Sequence, residues 1–389
     1  MSQKVSVLHV ASFDGNIGDN ANHNGTRSAI SEAVGSQLDI EEWEIRRHYQ
    51  NYESFGRKHF DKEFVEKANS KDCILIGGGS FFDPWIKNSN TGTTIDIPKD
   101  VIDKINSLLI FHGLGCIPNK HTSHPIIRKF KSFLEHIIEA EHCLVSVRND
   151  GSVGHIRELV GDSLADQIDV IPDGGFFVNT SKYYHPELAG NDVTIGINLV
   201  ADMQQMRFPG GKEYHNYETF VEEFAAFTDY ILNNQSNYSI IFIPHIYSDL
   251  KSIYDVISRM NVANKRNRVS IAPYVHGMGQ EKYIFDLYGS LDIAIGLRFH
   301  SNVCPIGLGT PTIGLNNGHP KVRDLYISIG LDNRCISVHK RGFHSELSSL
   351  VNDSIDHGQS ISKKYNLVTA SMRSEISRFH QKIVEILDL

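Results

Sequence analysis

Short runs of β-branched and aliphatic residues recur along the chain, each followed by a stretch of helical period. In the first half they are VSVLHV (5–10), CILIGGG (73–79), SLLIFHGLG (107–115), HCLVSVR (142–148) and QIDVIPDGG (167–175). Amphipathic segments at 26–36, 61–69, 126–140 and 151–160 separate them. Continuous apolar strands alternating with helices predict a parallel sheet covered on both faces. The rhythm restarts with DVTIGINLV (192–200), YSIIFIPH (238–245), RVSIAPY (268–274), LDIAIGL (291–297) and TPTIGLN (310–316), with helices near 216–234, 248–262, 280–289 and 300–307. FVNTSKYYHPELAGND (177–192) is polar and holds Pro186 and Gly190, which suits a linker. The pattern predicts an α/β chain of two Rossmann-like, doubly wound domains, 1–178 and 190–358, facing a cleft. Residues 359–389 read as a final helix that packs back on the first domain. In such sheets ligands bind at the carboxyl ends of the strands.

Composition narrows the class. Hydrophobic residues at 40% and charged ones at 22% exclude disorder and coiled coils. A net charge of −8 argues against a general nucleic-acid binder, which needs a basic footprint. The five cysteines form no CxxC pair and sit mostly in apolar runs, so reduced, packed thiols in the cytosol are expected. The opening MSQKVSVLHV is too short and polar-flanked for a signal peptide, and no run is long enough to span a membrane. The expectation is a cytoplasmic protein with at most peripheral contact to the inner face of a membrane. KHTSHPIIRKFKSF (120–133) is a basic amphipathic stretch, read as a solvated face or, less simply, as attraction to an acidic polymer or membrane. Twenty histidines show no HExxH or Cys/His zinc spacing, so no metal is inferred. No cofactor is inferred either, because ILIGGGSFFDP (74–84) fits neither GxGxxG nor a Walker loop.

Candidate chemistry gathers at strand ends. In GLRFHS, Gly296 closes a strand, and Arg298, Phe299, His300 and Ser301 open a helix. Free N–H groups there favour an anion, arginine adds a fork matched to carboxylate or phosphate, and histidine exchanges protons near neutrality. The plainer reading pairs Arg298 with a nearby acid and leaves His300 a satisfied core group. Arg148 in SVRND and His245 in IPHIYSD also follow strands, and with Arg298 and His300 they would make a basic site for a small polyanion. The loops SFDGNIGDNANHNG (12–25) and GGGSFFDP either line that site or are simply capped, tight turns.

The order of these motifs resembles the polysaccharide pyruvyltransferase family almost end to end. The matching features are Asn16-x-Gly18-Asp19, GGGSF, SVRNDGSV, DGGFF, His245 with Asp249, GLRFHSNVCPIGLGTPTIG and HPKVRDLYISIGL. The family's usual Asp-Pro stands here as Pro172-Asp173-Gly174-Gly175, a departure at that corner. The resemblance implies a GT-B-like fold and transfer of a pyruvyl group from phosphoenolpyruvate to two sugar hydroxyls, as a cyclic ketal with release of phosphate. It would make Arg298 and His300 catalytic and place the donor on Arg298, Phe299, His300, Ser301, Arg148 and His245. The acceptor, a sugar or oligosaccharide, lipid-linked or not, would lie against Asn16, Asp19, Gly78, Gly79 and Phe82, with Phe81 and Trp85 as further stacking rings. Two rivals stay open: a nucleotide-sugar-dependent glycosyltransferase of the same architecture, and a non-catalytic sugar-binding protein. Oligomeric state is not legible.

Overall fold

The computed structural model describes residues 4–49, 56–119, 121–188 and 193–389. The chain divides into two compact units, one of residues 1–13, 25–174 and 372–389, the other of 14–24 and 175–371. In unit 1, strands β1 (Val5–Ala11), β2 (Leu38–Glu44), β3 (Cys73–Gly77), β4 (Leu108–Leu114), β5 (Cys143–Arg148) and β6 (Asp169–Ile171) form a parallel sheet ordered β2-β1-β3-β4-β5-β6. The central β3 and β4 are buried at every position, as their unbroken apolar runs require.

In unit 2, strands β7 (Val193–Asn198), β8 (Tyr238–Phe242), β9 (Val269–Ile271), β10 (Ile293–Gly296), β11 (Thr312–Asn316) and β12 (Cys335–Ser337) form a second parallel sheet. Its order, β9-β8-β7-β10-β11-β12, is the doubly wound arrangement whose direction of winding reverses between β7 and β10. That reversal leaves a crevice at the carboxyl ends of those two strands, where this class of sheet binds its ligands.

Three features depart from the sequence pattern. The helix Ile17–Ala33 begins nine residues earlier than its periodicity suggests, because IGDNANHNG is poor in helix formers. Tertiary burial compensates: Ile17, Asn20, Ala21 and His23 are enclosed. Residues 14–24, read as part of the first domain, group with unit 2. The C-terminal helix starts at His344 rather than near 360, runs to Ile386 and breaks helical geometry only at His357. Residues 372–389 belong to unit 1, where Phe379 and His380 lie against His112 and Lys382 pairs with Asp169 at 2.6 Å. Part of the expected linker, 189–192, lies outside the described residues.

Burial also settles the lesser features. The helix His124–Glu139 buries Ile126, Phe130, Phe133, Leu134 and Ile137 and exposes Arg128, Lys129 and Lys131, so its basic side is a solvated face on a core helix. The cysteines are unpaired, and burial pushes the Cys73 thiol up to about 12, far from a reactive thiolate. Among the described residues, no helix is long and apolar enough to cross a membrane.

Candidate active site

The corner after β10 is built by small polar residues. Gly296 pairs in register with Asn198, the last residue of β7. A Cβ on Gly296 would stand 2.3 Å from Ser301 Oγ, so only glycine lets the chain fold back there. The Arg298 N–H donates to Asn198 Oδ1 at 3.0 Å, and Ser301 Oγ donates to the Arg298 carbonyl at 2.8 Å. Asn302 Nδ2 donates to the Gly296 and Arg298 carbonyls, while its Oδ1 accepts from Tyr326 at 2.9 Å. Asn198, Ser301 and Asn302 thus tie the turn's backbone from three sides, which braces the segment that carries Arg298 and His300. Ser301 was expected to hold the donor; its fully buried hydroxyl instead closes this turn.

Arg298 is paired, and the pairing is informative. Asp249, the first residue of the helix Asp249–Arg259, accepts Arg298 Nε at 2.8 Å and Nη2 at 2.5 Å. Asp249 is wholly buried and also accepts the N–H groups of His245 and Ile246, at 2.9 and 3.2 Å. Asp202 Oδ1 touches Arg298 Nη2 at 3.1 Å and lies 3.7 Å from Arg207 Nε. Burial opposes the Arg298 charge, but the two carboxylates outweigh it and hold the guanidinium protonated more firmly than usual. The plain sequence reading, an arginine paired with a nearby acid, is thus correct as far as it goes. The Asp249 contact uses the Nε–Nη2 side and leaves Nη1 outside it.

His245 lies beneath this arrangement. Its ring is fully buried, with Nε2 3.0 Å from Tyr288 Oη. Burial, aided by the nearby Arg298 and His300, pushes its pKa well below the ordinary histidine value, so it is neutral. A neutral, enclosed ring is no donor grip; His245 supports the site through its backbone, which binds Asp249 and accepts Ile17 N–H at 3.2 Å.

His300 meets the Asn-x-Gly-Asp turn. Asn16 Oδ1 accepts Gly18 N–H at 3.0 Å and so caps the helix Ile17–Ala33. Gly18 lies directly against His300: a Cβ there would be 2.7 Å from its Cβ and Nδ1. Asp19 Oδ1 is 3.8 Å from His300 Nδ1, which puts a carboxylate beside the ring. Asn16 and Asp19, expected on the acceptor side, are therefore part of the His300 corner.

The remaining candidates lie in unit 1. Arg148 is 1% exposed, with Asp150 Oδ2 at 3.1 Å, Asp173 Oδ2 at 3.3 Å and Ser80 Oγ at 3.0 Å. An arginine enclosed with two buried aspartates has no charge to spare for a donor, which corrects its assignment as a second anion ligand. Phe82 is likewise corrected: it is fully buried among Phe111, Phe130 and Phe133 and offers no face to a sugar. Phe81 is also buried, and Trp85 is half-buried. Gly78 takes φ +88°, and Gly79 has the Phe81 ring where a Cβ would stand, 2.3 Å away. Both glycines therefore serve the turn itself. A separate groove of about 980 Å³ in unit 2, lined by Asp292, Thr310, His357 and Lys363, opens at the amino ends of the strands, away from Arg298.

A family model for polysaccharide pyruvyl transferases matches residues 16–319, which run from the Asn16 cap through the Arg298–His300 corner. The chain belongs to this family. No match is found among curated proteins. Solved structures similar to this polysaccharide pyruvyl transferase family member include a Listeria monocytogenes protein assigned as a UDP-N-acetylglucosamine 2-epimerase, with TM-score 0.53 and 11% identity over 97% of this chain and 98% of that one. S. aureus MnaA, solved with UDP, gives 0.52 and 8%, covering 93% and 90%. The N-terminal domain of Candida albicans trehalose-6-phosphate phosphatase gives 0.51 and 12%, covering 98% and 97%. At these identities the likeness is one of fold, and with two six-stranded parallel sheets it makes the architecture α/β and GT-B-like.

Asp202 and Asn198 escaped the sequence reading. Asn198 ends a recognisable strand, so its place at a strand's carboxyl edge was legible. Asp202 had no such signal, since nothing in INLVAD marks an acid that folds back onto an arginine 96 residues on.

Proposed function

We propose that this protein transfers the pyruvyl group of phosphoenolpyruvate to two hydroxyls of a sugar in a surface polysaccharide or its precursor, forming a cyclic ketal and releasing inorganic phosphate. Family membership supports the reaction class. The observation that carries the residue roles is the corner itself: Arg298, whose Nη1 lies outside the Asp249 contact, stands two residues from His300 at the amino end of the helix His300–Gly307. Phosphoenolpyruvate has a carboxylate and a phosphate on one carbon, and the planar arginine end matches either with two parallel hydrogen bonds. His300 acts as the acid and base. Protonation at C3 of the enol turns the methylene into a methyl group and makes C2 electrophilic. One sugar hydroxyl adds to C2; the C2–O bond to phosphate breaks; the second hydroxyl closes the ketal. The two hydroxyl protons are accounted for, one in the new methyl group and one on the released phosphate.

The test is release of inorganic phosphate from phosphoenolpyruvate with a panel of glycan acceptors. Arg298→Ala and His300→Ala each lower turnover by at least about a hundredfold. Full turnover in both variants, or thermal stabilisation by nucleotide sugars and not by phosphoenolpyruvate, overturns the reading.

A further inference from the structure

A guanidinium has two edges that can each hold an oxyanion through paired hydrogen bonds. Asp249 occupies the Nε–Nη2 edge of Arg298. The end edge is the one a ligand would take, and Asp202 Oδ1 already sits on its Nη2 corner at 3.1 Å. The two aspartates are held very differently. Asp249 is wholly buried and tied to two backbone N–H groups. The Asp202 side chain is 30% exposed, and its contacts are with the two arginine side chains, Arg298 and the more distant Arg207. It also precedes Met203, a non-glycine residue at φ +53° and 54% exposed, in a short helical turn Gln204–Arg207 that buries no residue. A left-handed, solvent-facing residue beside a part-exposed acid is a place where the backbone can change conformation at little cost in packing.

We propose that Asp202 is a gate on the anion site, its carboxylate standing where an oxyanion of the donor binds Arg298, so that an anion enters only by displacing it. The inference rests on the reading of Arg298 as the donor grip. With both acids in place, Asp202 and Asp249 balance Arg298 and Arg207, and the corner has no net positive charge. With Asp202 withdrawn, one positive charge is uncovered. A ligand with two anionic groups, as phosphoenolpyruvate has, can replace the lost contact and gain a further one. Inorganic phosphate, the product of the proposed reaction, has a single anionic centre and bears the same displacement cost for fewer contacts, so the gate keeps weakly held anions out. Asp202 is charged throughout the neutral range: burial works against it, but Arg298 and Arg207 hold its pKa below the ordinary carboxylate value.

The test is titration calorimetry at low salt on the full-length chain, with phosphoenolpyruvate and inorganic phosphate as separate probes. Wild type is compared with Asp202→Asn, Asp202→Ala and Asp249→Asn, each checked for folding by circular dichroism. Removing a like charge from the anion site tightens the binding of phosphate and of phosphoenolpyruvate alike, by about tenfold or more, in both Asp202 variants. Asp249→Asn weakens both ligands, because it loosens the side that aims Arg298. If neither Asp202 variant binds phosphate more tightly than wild type does, the gate is overturned, whatever happens with phosphoenolpyruvate. If both gain phosphate affinity while no protein binds phosphoenolpyruvate, the gate stands and the donor assignment falls.

Discussion

Two arginines at strand ends, the buried Arg148 and the largely enclosed Arg298, each meet two aspartates, yet they are different objects. Arg148 is enclosed: Asp150, Asp173 and Ser80 surround it, and both acids are as buried as the arginine. Arg298 is clamped along one side by a buried acid and touched at the other end by a half-exposed one. A neutral, buried histidine accompanies each, His112 near Asp173 and His245 beside Arg298. The difference lies in which edge of the guanidinium the aspartates use and whether the second acid can leave. Enclosure makes Arg148 a structural cross-link; at Arg298 the second acid is exposed enough to move, as the proposed grip requires.

The largest effect expected from breaking this comparison is on stability. Arg148→Ala leaves Asp150 and Asp173 buried and uncompensated, at a cost of about 3–5 kcal/mol. Arg298→Ala costs less, because Asp249 keeps two backbone donors and Asp202 can turn to water. Both tryptophans, Trp43 and Trp85, belong to unit 1, so their fluorescence reports that unit alone. In urea, Arg148→Ala should lower the fluorescence midpoint sharply, while Arg298→Ala, which lies in unit 2 and is followed by circular dichroism, should lower the midpoint by less and remove activity. Equal shifts in the two variants would mean that the two corners are structurally alike.

How far the site was legible follows from the same contrast. Strand ends are written in the sequence as apolar runs closing on glycine, so Gly296, Arg298, His300 and His245 were all placed at carboxyl edges correctly. Burial beyond the strand is not written there. SVRND and GLRFH look equivalent, and nothing local says that Asp173 closes over Arg148 from 25 residues away. Phe82 failed for a related reason: an aromatic pair after a glycine turn suits a sugar platform and a core equally, and here the helix His124–Glu139 supplies Phe130 and Phe133 to bury it. β2 was missed because Asp39, Glu41, Glu42 and Glu44 break up its apolar pattern, as an edge strand allows. β12 is only three residues long, too short to carry a period.

A smaller effect is expected where packing alone sets the geometry. Gly18→Ala puts a methyl group 2.7 Å from His300, so the ring or the helix must shift, at about 1–3 kcal/mol. His300 then loses its place beside Asp19, while Arg298 and its two acids are untouched. The expected result is a fall in kcat with donor affinity retained, whereas Arg298→Ala loses donor affinity along with turnover. Gly154→Ala is the control: it lies in the helix Ser152–Val160 with open space around its Cβ position, and should raise unit 1 stability by up to about 1 kcal/mol. Loss of donor binding in Gly18→Ala would show that the two halves of the corner do not act separately.

The smallest expected effect concerns the histidines, and its sign is fixed by burial. His112 Nε2 and His380 Nε2 are 2.9 Å apart, so one ring must donate and the other accept, which requires both to be uncharged or to share one proton. Burial pushes His112 well below its ordinary value and His380 down to about 4. The groups facing the pair are Asp173, which favours protonation of His112, and the Ala29 backbone, which favours it on His380. A histidine depressed in the folded state gives stability that is complete above its unfolded pKa, about 6.5, and is lost as pH falls towards the folded value. The unit 1 midpoint should therefore be flat above about pH 7 and decline from pH 6.5 to 4. His48, also lowered to about 4 by burial, contributes to that decline in every variant and cancels in a difference. His380→Gln keeps a hydrogen-bond donor for His112 and removes one titrating group, so its decline should be shallower by up to about 1.4 kcal/mol per pH unit. An unchanged slope would mean that the C-terminal helix is held by Phe379 and Lys382 alone, and that the histidine beside the enclosed arginine is packing rather than a titrating lock.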